Sequence, residues 1–210
     1  MSQFFQMHPD NPQPRLAKQA VEILRSGGLI AYPTDSGYAL GCCLGQKREI
    51  ERMRTIRRVD SKHNFTLLCG DLSAVGEFAK VNNAYYRLLK AATPGAFTFI
   101  LSATREVPRQ MMHPKKRTIG IRVPSNPIAH SILEQLGEPL ISTTLIAPNE
   151  TDPFYDPWEI RQMFEHQLDL IIDGGWVAPE PTTVIDLTED IPQLLRKGGG
   201  DWTPFIPDEI

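Results

Sequence analysis

At 210 residues, with 41% hydrophobic and 22% charged side chains, the chain can bury a core and is too apolar to be disordered. A net charge of −3 gives no bulk attraction to a polyanion. No run approaches the roughly 18 apolar residues of a spanning helix. The opening MSQFFQMHPDNPQPR has no basic stretch leading into an apolar core, so a cytoplasmic protein without membrane contact is expected.

In chain order, Asn11 and Pro12 start a helix in which Leu16, Ala20, Ile23 and Leu24 recur at helical spacing until Gly27-Gly28 stops it. Leu29–Tyr32 reads as a buried strand ending at Pro33, and Ala39–Leu44 as a second strand. Gln46–Arg58 is helical, with Ile50, Met53 and Ile56 inward and arginines around them. Phe65–Cys69 is a short strand, followed by helices at Leu72–Phe78 and Asn83–Ala92. Ala96–Ala103 and Thr118–Val123 read as strands separated by the basic RQMMHPKKR. A helix from Asn126 to Leu136 precedes strands at Leu140–Thr144, Asp169–Ile172, Thr182–Leu187 and Gln193–Arg196, with a helix at Pro157–His166 between the first two. The acidic, Pro-bearing Ala147–Asp156 is the expected mobile loop. Interleaved helices and strands indicate α/β, and short connections favour a mixed sheet over a purely parallel one.

Cys42, Cys43 and Cys69 form no CxxC pair and are expected to be buried thiols. His8, His63, His113, His130 and His166 are scattered, so no metal site is expected. Charge is strongly segregated. Lys47–Lys62 nets +4 and Arg105–Arg122 nets +5, whereas Glu134–Asp190 holds thirteen acids against Arg161 alone. Such segregation suits a nucleotide or polyanion partner; mixed, solvated helix faces are the other explanation.

Neither GxxxxGK[ST] nor a GxGxxG after a strand is present, so any phosphate must be held by side chains, and arginine's planar fork is the suited donor. The segment Tyr32–Gly41 delivers Thr34, Asp35 and Ser36 to the carboxyl end of a buried strand, where open α/β sheets bind ligands. A plain turn is the competing reading of the same residues.

PTDSGYALG (Pro33–Gly41) resembles the PTDTVYGLG signature of the YrdC/YciO family. Thr93–Leu101 is similar to that family's PGPxTxIL, Thr118–Pro124 to TVGVRxP, Pro181–Asp186 to STVVD, and Leu195–Gly198 to IRxG. His63–Leu68 (HNFTLL) points to the YciO branch. The resemblance implies one YrdC-like domain of twisted mixed sheet with a concave, positively charged cavity. Its core would run from about residue 12 to 200, with a short tail and without the extra C-terminal domain of longer relatives. It further implies a synthase that joins L-threonine, bicarbonate and ATP, with Mg2+, into threonylcarbamoyl-AMP and pyrophosphate for t6A37 modification of tRNA. No tightly bound metal or organic cofactor is implied.

Carried over from the resemblance, Thr34, Asp35, Ser36, Thr66, Arg122, Ser142 and Thr183 would bind substrate, Arg122 clasping a carboxylate. Thr118, Thr144, Arg196 and Arg57 would meet the nucleotide, and Arg57, Arg58 and Thr144 would be catalytic. Arg54, Arg58, Lys115, Lys116 and Arg117 would contact RNA phosphates. Two departures stand out. The family's KxR aligns with Arg57-Arg58-Val59, and its SxN with Thr144-Leu145-Ile146. Isoleucine cannot replace an amide's donor and acceptor, and each lost charged hydrogen bond costs roughly 1.5–3 kcal/mol, about ten- to hundredfold. A weakened or altered synthase is therefore expected, the alternatives being a double-stranded RNA or tRNA-binding module without synthase activity and an assembly factor that kept only the fold.

Overall fold

The computed structural model describes residues 1–178 and 180–206; the Pro-bearing tail after Ile206 lies outside them. The described residues form eleven strands and six α-helices: β1 (Gln3–Gln6), α1 (Pro14–Arg25), β2 (Ile30–Thr34), β3 (Gly37–Cys43), α2 (Lys47–Arg57), β4 (Thr66–Leu68), α3 (Leu72–Phe78), β5 (Ala79–Lys80), α4 (Asn83–Ala92), β6 (Phe97–Ala103), β7 (Thr118–Arg122), α5 (Pro127–Leu136), β8 (Leu140–Thr144), α6 (Pro157–Phe164), β9 (Leu170–Asp173), β10 (Thr183–Asp186) and β11 (Gln193–Arg196). They form one mixed sheet in the order β1-β9-β2-β3-β8-β4-β7-β6-β10-β11, with β5 on the flank of β6. Parallel pairs (β1·β9, β2·β9, β4·β7, β6·β10) sit among antiparallel ones. Among the described residues no helix is long and apolar enough to cross a membrane.

Several elements depart from the sequence expectation: α1 begins at Pro14 instead of at Asn11-Pro12, and β5 is an added strand. β1 pairs in parallel with β9, so the sheet begins before residue 12, and the buried Phe205 carries the core past residue 200. β2 runs through Pro33 instead of stopping at it. Pro33 lies opposite Tyr38, whose N–H donates to the Phe154 carbonyl, so no ladder bond needs the N–H that proline lacks. The second half of the expected mobile loop is anchored: Phe154 is buried, and its N–H donates to the Leu145 carbonyl.

The two faces of the sheet carry separate cores. On one, α2, α3, α4 and α6 pack on Leu40, Leu67, Phe99, Ile121 and their neighbours. On the other, α1 and α5 pack on Ile30, Tyr32, Ala39, Leu140 and Leu170, extend to Leu68 of β4, and among the described residues go no further. α5 is well started, because Asn126 accepts from the N–H groups of Ile128 and Ala129 and Pro127 follows it. Beyond Leu68, the second face of β7, β6 and β10 has no helix-covered core; Thr98, Thr118, Arg122 and Asp186 stand on it together with Ile100.

Candidate functional site

Strand register decides which side chains share that open face. Gly41, Ser142, Thr66, Gly120, Ile100 and Asp186 stand in one row across β3, β8, β4, β7, β6 and β10. Residues directly opposite one another point to the same face, so residues two apart along each strand, Thr144, Thr98, Thr118 and Arg122, join them. The row makes a cavity of about 250 Å³ whose lining includes Asn64, Thr66, Ile100, His113, Lys116, Thr118, Gly120 and Asp186. Gly120 opens its floor: a Cβ there would stand 2.9 Å from Thr66 Cγ2 and 3.6 Å from both Ile100 Cδ1 and Thr98 Cγ2.

Arg122, 4% exposed, ends β7 two residues along from Gly120. Its Nη2 lies 3.8 Å from Asp35 Oδ2, an electrostatic contact too long for a hydrogen bond. Nε and Nη2 of Arg122 and Oδ2 of Asp35 are all buried without a hydrogen-bond partner. Burial pulls the Arg122 pKa down, Asp35 and Tyr32 oppose the shift, and Arg196 adds to it. The guanidinium stays charged, so its free edge is a preformed receptor for an anion.

Asp35 approaches Arg122 from the turn between β2 and β3. Thr34 Oγ1 donates to the Gly37 carbonyl (2.8 Å) and accepts from the Ser36 N–H (3.2 Å), and Gly37 takes φ +95. Thr34 thus braces the turn, with buried Ser36 beside it. Asp35 Oδ1 accepts from the Ser125 N–H (2.9 Å) and Oγ (2.8 Å). Tyr32 Oη and Ser142 Oγ share a 2.7 Å hydrogen bond beneath, and Thr66 Oγ1 donates to the Ser142 carbonyl (3.1 Å). Burial pushes the Tyr32 pKa up to about 12, so this hydroxyl is neutral throughout the physiological range. Tyr32→Phe leaves Ser142 Oγ unpaired at 1% exposure and should cost about 1–3 kcal/mol, read as a lower urea midpoint.

At the far side, Arg196 donates from Nε to the Thr182 carbonyl and from Nη2 to Thr182 Oγ1, both at 3.0 Å, while Thr182 and Thr98 hydroxyls lie 2.8 Å apart. Thr183, singled out in the sequence, points the other way: its hydroxyl donates to the Gly200 carbonyl. The hydroxyl on the cavity face belongs to Thr182, a one-residue difference that the alternation of a strand turns into a change of face.

Arg57 also lies off the open face. Its Nη1 donates to Thr143 Oγ1 (3.1 Å) and to the Thr144 carbonyl, tying the end of α2 to the end of β8. Thr143, opposite Leu40, faces the helix-rich core. His63 Nε2 lies 3.0 Å from the same hydroxyl. Burial lowers the His63 pKa, and Arg57 and Arg54 lower it further. A histidine whose folded pKa is below its unfolded value of about 6.5 contributes stability that is complete above pH 6.5 and is lost as pH falls through the folded pKa. His63→Gln should flatten the corresponding limb of a Tm-against-pH profile. Arg58 caps α2 in the left-handed region and is exposed, whereas Arg54 pairs with Glu51 and lies over the Phe65 ring, 5.2 Å from its centroid. Lys115, Lys116 and Arg117 are exposed in the β6–β7 connection, Lys116 at the cavity mouth. The three cysteines are buried and unpaired, and burial raises their pKa values.

Tyr32, Thr98, Ser125, Thr182 and Asp186 were not anticipated from the sequence. Register would have found Thr98 and Thr182, which alternate with core residues; nothing local marks Ser125.

The site is thus an open, hydroxyl-lined face of a mixed sheet, with buried Arg122 on it and the exposed Arg196 tied to Thr182 at its far side. The family described as Telomere recombination, comprising the Sua5, YciO and YrdC proteins, matches residues 22–198, and the chain belongs to it. Within it, the chain is 55% identical to the YciO protein of Escherichia coli K12, described as uncharacterized, over 98% of this chain and all of that one. The crystal structure of E. coli YciO superposes with a TM-score of 0.94 over the same coverage. A threonylcarbamoyl-AMP synthase of Nitrosococcus oceani is 31% identical over 156 residues, 74% of this chain and 83% of that protein. P. abyssi Sua5 complexed with L-threonine shares the fold at a TM-score of 0.86 and 24% identity, over 93% of this chain and 57% of that one.

Proposed function

We propose that the chain binds an amino acid and a nucleotide on its open face and forms a carbamoyl-adenylate, with L-threonine, bicarbonate and ATP as reactants and threonylcarbamoyl-AMP and pyrophosphate as products. The observation that carries this reading is the vacant Nε/Nη2 edge of Arg122, buried and unpartnered. Two parallel N–H donors match a carboxylate bidentately. The threonine-bound Sua5 structure and the synthase relative supply the substrate class.

The amino-acid amine and bicarbonate condense to a carbamate with loss of water, and a carbamate oxygen attacks the α-phosphorus of ATP as pyrophosphate leaves. This chemistry requires alignment and charge neutralisation rather than a covalent nucleophile. Arg122 anchors the carboxylate, the Ser142/Thr66 row positions the reacting groups, and Lys116 and Arg196 supply positive charge from opposite sides. Mg2+ would arrive on the triphosphate. The donors of the open face, hydroxyls of Thr66, Ser142 and Thr144 with the Asp186 carboxylate, suit a hard cation that keeps most of its ligands from phosphate and water. Arg57, engaged by Thr143 and the Thr144 carbonyl, is withheld from phosphate, which favours a slow synthase over an efficient one. Purified protein supplied with threonine, bicarbonate and Mg-ATP should yield pyrophosphate and an AMP-containing product. No product above the enzyme-free background ends this reading.

A second reading has its own observation: Arg105, Arg109, Lys115, Lys116 and Arg117 are all exposed on the single β6–β7 connection at the cavity mouth. That surface fits the phosphates of tRNA or double-stranded RNA. Its affinity should fall steeply with salt and on neutralising Lys115, Lys116 and Arg117 together; salt-independent binding excludes it.

A further inference from the structure

An acidic side chain beside a vacant arginine edge should close onto it. A carboxylate 3.8 Å from a guanidinium that lacks hydrogen-bond partners gains a charge-assisted bond by moving about 1 Å, and burial strengthens that gain. Asp35 does not close. Its Oδ1 is held from the other side by two hydrogen bonds from one residue, the N–H and hydroxyl of Ser125, which leaves Oδ2 short of Arg122. Ser125 follows Val123 and Pro124 after β7 and immediately precedes Asn126, the cap of α5, so its place is fixed between two regular elements.

We infer that Ser125 is a positioning residue that keeps Asp35 off Arg122 and so keeps the arginine edge available to the substrate carboxylate. This rests on the amino-acid reading of the site. Without the hydroxyl, one of the two restraints is lost, Asp35 turns Oδ2 onto the Nε/Nη2 edge, and an internal ion pair competes with the ligand. The same geometry gives Asp35 a second consequence when the site is filled: its free Oδ2 can accept a hydrogen bond from a donor group on the ligand that Arg122 holds.

The test is calorimetric titration of L-threonine, with and without Mg-ATP, into wild type, Ser125→Ala and Ser125→Thr. Ser125 is exposed, so neither replacement disturbs the core. Loss of one charge-assisted restraint predicts about tenfold weaker threonine binding by Ser125→Ala. Ser125→Thr keeps the hydroxyl and should restore affinity to within about twofold, and Mg-ATP titrated alone should bind all three proteins equally. A merely structural role would shift Mg-ATP binding along with threonine and would not be rescued by threonine at position 125. If wild type and Ser125→Ala bind threonine equally, the inference falls and the amino-acid reading stands. If wild type binds no threonine under either condition, the amino-acid reading falls and takes the inference with it.

Discussion

Replacing Arg122 by methionine should abolish threonine binding and leave the protein folded. Losing a bidentate, charge-assisted pair in a buried site is worth about 3 kcal/mol or more, so affinity should drop at least about a hundredfold. Folding stability has two opposed contributions. Methionine removes the desolvation cost of a buried guanidinium with two unsatisfied nitrogens, but it leaves the buried Asp35 Oδ2 without its counter-charge, and breaking a buried pair from one side is the larger effect. The Tm of Arg122→Met should therefore fall, and removing both charges in Arg122→Met/Asp35→Asn should recover most of it. Arg122→Lys separates charge from geometry, because an ammonium keeps the attraction and lacks the planar fork. It should bind threonine about tenfold more weakly than wild type and better than Arg122→Met. Wild-type affinity in Arg122→Lys would show that the fork is not what the ligand reads.

The elements that the sequence revealed are those whose signals are local. α5 announces itself through Asn126 and Pro127, and α1 through its spaced apolar residues and the closing glycines. The strands around Phe99, Ile119 and Ile141 are short apolar or alternating runs bounded by turn residues. What stayed hidden depends on partners far along the chain. β1 is four residues that become a strand only against β9, more than 160 residues away. Tyr32 and Ser142 meet across 110 residues. Thr182 and Thr183 are chemically alike, and only the pairing of β10 with β6 decides which hydroxyl meets Thr98. Motif resemblance singles out Arg57, yet that guanidinium clamps the end of β8 through Thr143 and the Thr144 carbonyl, partners 86 and 87 residues along the chain. Charge segregation was fully legible; that Lys116 of the second basic segment meets the mouth of the open face, while α2, which holds Lys47–Arg57 of the first, packs over the other face, was not, because that required the order of the strands.

Gly120→Val should separate nucleotide binding from amino-acid binding. Gly120 is the gap in the row between Thr66 and Ile100, and the cavity of about 250 Å³ exists over it because no side chain rises there. The valine Cβ would press on Thr66 Cγ2, and its methyls would project into the space above. Overpacking of this kind costs about 1–3 kcal/mol, tolerable for a residue whose neighbour on one side is a rotatable threonine. A β-branched residue on an interior strand offsets part of that cost. The filled floor should weaken ATP binding by at least about tenfold. Threonine binding measured without ATP should change by less than about threefold, because the Arg122 edge lies one step further along β7. Gly120→Ala, which adds only the Cβ, should fall between wild type and valine. Wild-type ATP affinity in a folded Gly120→Val protein would place the nucleotide elsewhere. Equal losses of ATP and threonine would instead mean that the two ligands share a single subsite.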